Sequence, residues 1–161
     1  MLALLNLIES LELIVEFKYM KHPKHYDTDE ATSRRMANVK LKHSSEEIAV
    51  AKRLWAEGFR YWLNYKKLPG SPDIAIKKHR IAVFIDGEFW HGFNWDERKR
   101  NLRRNREYWI TKIEENIQRD KRVDKALVSD GWIPIHFWSN DVKKNLEACI
   151  EKIKNMTFKS H

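Results

Sequence analysis

From Ser44 onward the apolar residues alternate between a helical and a strand rhythm. Ile48, Ala51, Leu54 and Trp55 recur at helical spacing behind Ser44-Ser45-Glu46-Glu47, which carries the Ser-x-x-Glu signature of a capping box. Gly58 stands where that helix would stop, so the pattern predicts a helix over residues 44–57. Short aromatic and β-branched runs at residues 59–63, 74–76 and 81–85 predict three strands. Only Lys77-Lys78-His79-Arg80 separates the last two, which predicts a hairpin in a largely buried sheet. Leu68-Pro69-Gly70-Ser71-Pro72 is a rigid loop that delivers Asp73 to the start of its strand. A long helical pattern follows over residues 101–129, with Tyr108 or Trp109, Ile113, Ile117, Val123 and Leu127 as its apolar positions. Residues 132–138 predict a fourth strand, and Pro134 inside it argues for an edge position or a bulge. Residues 141–155 close the pattern as an amphipathic helix with Leu146, Ile150 and Ile153 inward. The outline αβββαβα predicts one α/β domain, a single mixed sheet flanked by helices.

The residues before Ser44 break this rhythm. Leu2 to Phe17 is apolar, but Glu9, Glu12 and Glu16 interrupt it, and neither a basic n-region nor a small-residue cleavage site is present. Residues 1–20 therefore read as an extra amphipathic helix or an upstream mis-start, with Met20 as the expected first residue. Residues 21–43 are polar and basic and read as an arm that contacts a partner, which leaves residues 44–158 as the folded domain.

Composition adds a sign. The 161 residues carry a net charge of +8, the balance of a surface that neutralises phosphates, although solvated Lys and Arg faces give the same total. The 42% hydrophobic content, with seven Trp, supports a packed core and argues against global disorder. One cysteine, Cys149, excludes an internal disulfide and a Cys-rich zinc site, and fits a reducing cytoplasm.

Three carboxylates stand at suggestive places: Glu47 on the first helix, Asp73 opening one hairpin strand and Asp86 ending the other. Acids converging at strand ends suit Mg²⁺, which takes hard oxygen ligands and keeps waters to activate. Each also has a plainer role, since Glu47 fits a capping box and Asp86 precedes Gly87 in a turn. Asp73 must either find a partner or bear the cost of partial burial. Phe89-Trp90-His91 follows directly, either as a satellite hydrophobic cluster or as an aromatic wedge of the kind that unstacks DNA bases, with His91 able to exchange protons near neutral pH. Lys112, Asn116 and Asp120 repeat every four residues and share one helix face, which is either solvated or set on phosphates. Residues 98–125 hold eleven Lys or Arg against five acids, the most basic stretch of the chain.

In order along the chain stand Thr32-Ser33-Arg34-Arg35-Met36, Glu47, Gly58-Phe59-Arg60-Tyr61, Leu68-Pro69-Gly70-Ser71-Pro72-Asp73-Ile74, Val83-Phe84-Ile85-Asp86-Gly87-Glu88-Phe89-Trp90-His91, and Tyr108-Trp109-Ile110-Thr111-Lys112-Ile113 with Asn116 and Arg119-Asp120. This series resembles the very-short-patch-repair (Vsr) endonucleases, whose fold is similar to that of the PD-(D/E)xK restriction nucleases. The resemblance implies Asp73 as the main Mg²⁺ ligand, assisted by the backbone carbonyl of Ile85, with Glu47 beside the metal waters. It implies His91, oriented by Asp120, in acid-base chemistry or phosphate activation. Met36, Phe89 and Trp90 take the intercalating positions, and Lys112 and Asn116 the contacts to a mismatched pair. Two departures stand out. Some members have His where this chain has Asp86, which leaves the general base open and makes Asp86 either that base or an added metal ligand. Many members bind a structural zinc where this chain has Glu88, Phe93, Trp95 and Asn140, so no zinc is expected and Trp95 with its aromatic neighbours is expected to fill the space.

The resemblance implies a cytoplasmic enzyme, associated with the nucleoid when bound to DNA. It would nick one strand of double-stranded DNA 5′ of the thymine in a T:G mismatch, leaving a 5′-phosphate. It also implies a functional link to a cytosine-5 DNA methyltransferase, whose deaminated product is such a mismatch. No membrane partner is expected, and a monomer suits a single-strand nick. A restriction- or homing-type nuclease of the same fold would instead cut paired DNA. A non-catalytic DNA-binding module would have no use for Asp73, His91 and Asp120 together.

Overall fold

The computed structural model describes residues 44–158. The 1–20 segment, the predicted arm over 21–43 and Met36 lie outside the described residues. Helix α1 (Ser45–Ala56) begins as its capping box predicts, with the Ser44 hydroxyl accepting from the Glu47 amide at 3.2 Å. Of the strand predicted over 59–63, only β1 (Trp62–Leu63) forms. The residues before it are committed to the helix end, where the Phe59 amide donates to the Leu54 carbonyl and the Tyr61 hydroxyl to the Ala51 carbonyl.

Strand β2 (Ile74–Ile76) and strand β3 (Ile81–Asp86) make the predicted antiparallel hairpin, joined by a 3₁₀ turn over Lys77–His79. Strand β4 (Ile133–Trp138) lies parallel to β3, and the sheet order β1-β2-β3-β4 puts it at an edge. Pro134 is tolerated there because an edge strand is bonded on one side only. The result is one mixed four-stranded sheet.

Two helical stretches differ from the predicted pattern. The helix expected from residue 101 begins only at Arg106, as α3 (Arg106–Ser129), and is preceded by a separate helix that the pattern did not predict, α2 (Trp95–Asn101). Leu102 is extended and Asn105 is left-handed, a conformation that asparagine tolerates better than most residues. The closing helix is divided as well, into α4 (Ser139–Lys144) and α5 (Leu146–Phe158). Asn145 leaves helical geometry at φ −152° and its side chain accepts from the Ala148 amide at 3.1 Å, so the side chain caps a new helix.

Strand β3 is buried on both faces and divides the core. Ile81 and Val83 face one cluster with Val50 and Leu54 of α1, Val142 of α4, and Ile150 and Ile153 of α5. Ala82 and Phe84 face the other, built on Leu127 of α3 with Leu68, Val123 and Trp132. Because side chains alternate along a strand, Asp86 continues the Ala82–Phe84 row toward α3. Among the described residues no helix is long and apolar enough to cross a membrane.

Candidate active site

Helix α1, the hairpin and α3 between them supply the predicted acids. Asp73 sits one step beyond the last β2–β3 pair, Ile74 with Val83, and its Oδ2 accepts from the Ile85 amide at 2.8 Å. A side chain thus continues the ladder where the backbone departs, which orients the carboxylate at the sheet end. Burial, with the nearby charges of Glu47 and Asp86, pushes the Asp73 carboxyl up to about 6, against the pull of the Ile85 amide and His91. Glu47, Asp73 and Asp86 therefore share one electrostatic environment despite coming from α1, the residue before β2 and the end of β3.

After Asp86 the chain turns tightly, with the Trp90 and His91 amides both donating to the Gly87 carbonyl and the Phe93 amide to the Glu88 carbonyl. This turn aims His91 at α3, where its Nδ1 lies 2.7 Å from Asp120 Oδ2 and 3.6 Å from Asp86 Oδ1. The Asp120 bond occupies Nδ1, so the ring nitrogen available to a substrate is Nε2. Burial opposes the charged imidazole, but the Asp120 hydrogen bond and the charges of Asp86 and Asp120 outweigh it and raise His91 above its usual range. Burial likewise favours a neutral Asp120, and His91 with Arg119 overcomes it to hold that carboxyl below its usual range.

The face of α3 read as either solvated or phosphate-facing turns toward this loop. Asn116 Nδ2 donates to the Trp90 carbonyl at 3.0 Å, one helical turn before Asp120, and Lys112 is half-buried a turn earlier. Two close approaches fit the loops to α3. A Cβ at Gly92 would lie 2.6 Å from Ile117 Cδ1, and one at Gly70 would lie 2.5 Å from Val123 Cγ1. The loops leading to Asp73 and away from His91 thus both rest on the same helix.

Phe89 and Trp90 are half-buried and meet each other edge to face at 5.2 Å. Trp109 of α3 backs both, at 5.1 and 5.6 Å, with Tyr108 beside it. The two readings offered by sequence meet here, since the pair is a packed cluster that still reaches the surface. A cavity of about 410 Å³ opens beside Phe89, lined by Phe93, Trp95, Leu102 and Ile113 among others, and holds none of the site carboxylates.

The departures from the family pattern have definite positions. Glu88 Oε1 accepts from the Asn140 amide at 2.6 Å, and Phe93 packs edge to face on Trp138 at 5.1 Å. Trp95 instead directs its indole N–H to Glu114 at 3.4 Å. Asp86 is 6% exposed and does not simply close a turn: its Oδ2 lies 2.5 Å from His136 Nδ1.

His136 and Asp124 were missed by sequence reasoning. His136 Nε2 lies 2.9 Å from Asp124 Oδ1, and burial is overcome by Asp86 first and then Asp124, so the imidazole is pushed up to about 9. The available signal was a histidine in an apolar strand, on the face opposite Ile135 and Phe137, together with an Asp one helical turn beyond Asp120.

Among the described residues no group of three or more His, Cys, Asp or Glu side chains forms a metal cage. The donor chemistry instead fits Mg²⁺, which keeps several waters and needs one or two carboxylates. Asp73 supplies a hard oxygen close to the charges of Glu47 and Asp86, and the Ile85 carbonyl follows it on the adjacent strand.

Residues 24–97 match a family model described as DNA mismatch endonuclease Vsr, a span that contains Glu47, Asp73, Asp86 and His91. The chain is 47% identical over 127 residues to the type II nicking enzyme V.NmeDIP of Neisseria meningitidis serogroup C, covering 79% of this chain and 86% of that protein. It is 49% identical over 122 residues to the type II nicking enzyme V.HpaIIP of Haemophilus parainfluenzae, covering 76% and 86%. It is 31% identical over 111 residues to the DNA mismatch endonuclease Vsr of Escherichia coli, covering 68% and 70%. The mixed sheet flanked by helices agrees with the restriction-endonuclease-like α/β fold expected of such a protein. An ordered set of acids and a histidine at the sheet end, and relatives this similar over most of both chains, place the chain in the Vsr family of DNA endonucleases.

Proposed function

We propose that this chain is a Mg²⁺-dependent nicking endonuclease that cuts one strand of duplex DNA 5′ of the thymine in a T:G mismatch. The observation that carries the reading is Asp73 at the sheet end, within reach of the charges of Glu47, Asp86 and His91, with His91 held by Asp120 next to the Phe89–Trp90 cluster. The description of the matching family and the name of the Escherichia coli relative support the mismatch substrate.

Asp73 and the Ile85 carbonyl would hold the ion, with Glu47 beside its waters and no structural zinc required. When bound, Mg²⁺ supplies charge neutralisation at the phosphate and a lowered pKa for water. Asp120 holds the His91 ring so that Nε2 meets the phosphate or the leaving oxygen. Water adds to phosphorus and releases a proton, the bond from phosphorus to the 3′ oxygen breaks, and that oxygen takes up a proton in its place, leaving a 5′-phosphate and a 3′-hydroxyl. Phe89 and Trp90, backed by Trp109, would enter the stack at the mismatch and offset the few kcal/mol of unstacking with new contacts. Lys112 and Asn116 would face the mismatched pair. A cytosine-5 DNA methyltransferase acting on the same sequence would be the source of the lesion, and the enzyme would work as a monomer in the cytoplasm.

The test compares otherwise identical duplexes carrying T:G or C:G, incubated with the protein and Mg²⁺. Selective nicking of the T-containing strand is expected, with loss of at least a hundredfold in Asp73→Ala. Equal cutting of both duplexes would replace this reading with a nuclease for paired DNA, and binding without cutting would reduce it to a DNA-binding module.

A further inference from the structure

Asp86 lies between two histidines, each anchored by a carboxylate of α3. His91 is held by Asp120, and His136 by Asp124 one helical turn on. The carboxylate oxygens are divided between the rings, with Oδ2 2.5 Å from His136 Nδ1 and Oδ1 3.6 Å from His91 Nδ1. The His136 ring has little freedom to leave this arrangement. It is register partner to Phe84 and stacks on that ring at 4.8 Å with an 11° angle between planes, while both its nitrogens face carboxylate oxygens. A carboxylate accepts only, so the ring donates in both directions.

We propose that His136, held by Asp124 and Phe84, is a positioning residue that keeps Asp86 from capturing the His91 imidazole. The two carboxylates beside His91 Nδ1 stand at unequal distances, 2.7 Å for Asp120 and 3.6 Å for Asp86. Asp86 is almost wholly buried and His136 is its closest donor, so removing the ring takes away the partner that holds this carboxylate in place. The nearest donor left is His91 Nδ1, and closing that gap would turn the imidazole away from Asp120 and carry Nε2 off its line to the phosphate. His136 thus decides which acid holds the catalytic histidine.

This inference deepens the proposed nicking reaction and rests on it, so its test has an arm that does not require cutting. Single-turnover nicking of the T:G duplex in Mg²⁺ is expected to fall about 10- to 100-fold in His136→Ala, with duplex affinity within twofold of wild type. His136→Asn places an amide donor where Nδ1 stood and should recover the rate to within about fivefold. His136→Gln extends its amide toward Asp124 instead and should stay as slow as alanine. In long-range ¹H–¹⁵N spectra of the histidine rings, the His91 nitrogen shifts should move in His136→Ala and return in His136→Asn. A nicking rate within twofold of wild type in the alanine variant, equal rescue by Gln and Asn, or unmoved His91 shifts would each overturn the proposal. If the wild type cuts neither duplex, the nicking reading fails and the ring spectra still decide the positioning role. Should His136→Ala fail to fold, Asp124→Asn tests the same contact from its other end, with the same His91 displacement expected.

Discussion

Asp73 shows how a single side chain serves the fold poorly and the site well. Its carboxyl is pushed up to about 6 by burial and by the charges of Glu47 and Asp86, so ionising it in the folded state is costly. A raised folded pKa contributes stability that is full below the unfolded value near 3.8 and is lost as pH rises through about 6. At pH 8 in EDTA, Asp73→Asn should therefore be more stable than wild type by about 1–2 kcal/mol, because the amide keeps an acceptor for the Ile85 N–H and removes the charge. Mg²⁺ should raise the melting temperature of wild type and leave that of Asp73→Asn unchanged. A less stable Asn variant in EDTA would contradict this account. His136, raised by its acidic partners to about 9, has the same sign in a different window, present below about 6.5 and lost as pH rises through 9. Asp73 was legible in sequence because an acid between a Pro-Gly-Ser-Pro loop and an apolar strand is conspicuous. Asp124 was not, because one more acid on a charged helix carries no local mark.

At the scale of elements, α3 does more than cover the sheet. It presents Trp109 to the aromatic pair, Asn116 to the Trp90 carbonyl, Ile117 to Gly92, Asp120 to His91 and Asp124 to His136. The turn carrying His91 fits only because residue 92 lacks a side chain and adopts φ +72°. Gly92→Ala should cost about 2 kcal/mol in urea unfolding from the backbone conformation together with the clash at Ile117. Adding Ile117→Ala should recover none of the backbone cost, and nicking should stay impaired in both variants because His91 has moved. A Gly92→Ala protein as stable as wild type would show that the turn has room to relax. The capping box and the β2–β3 hairpin were readable as local patterns. The break at Asn145 was not, since apolar spacing continues across it and only the cap to Ala148 reveals it.

For the whole molecule, the net charge of +8 and the basic stretch over residues 98–125 set how DNA is met. Neutralising phosphates releases counterions, so affinity should fall by about 10³ or more between 50 and 200 mM KCl if six or more phosphates are contacted. That contribution ignores base identity, whereas in the proposed reaction the wedge and the α3 side chains would act at the mismatch. Fluorescence anisotropy with T:G and C:G duplexes should therefore give parallel lines of log affinity against log salt, offset by a constant factor. Lines that converge at high salt would place the discrimination in phosphate contacts instead.

Periodicity and capping along the chain determined α1, the hairpin and the long helical stretch, because these depend on neighbours within a few residues. The order of motifs likewise carried the family and marked Asp73, His91 and Asp120 as the set to follow. What only the tertiary structure decided are contacts between residues far apart in the chain. Asp86 could close a turn, bind a metal or serve as a base until β4, fifty residues on, laid His136 against it. The residue types were visible throughout, but a partner is a distance in space, and packing β3 between α3 and β4 sets that distance.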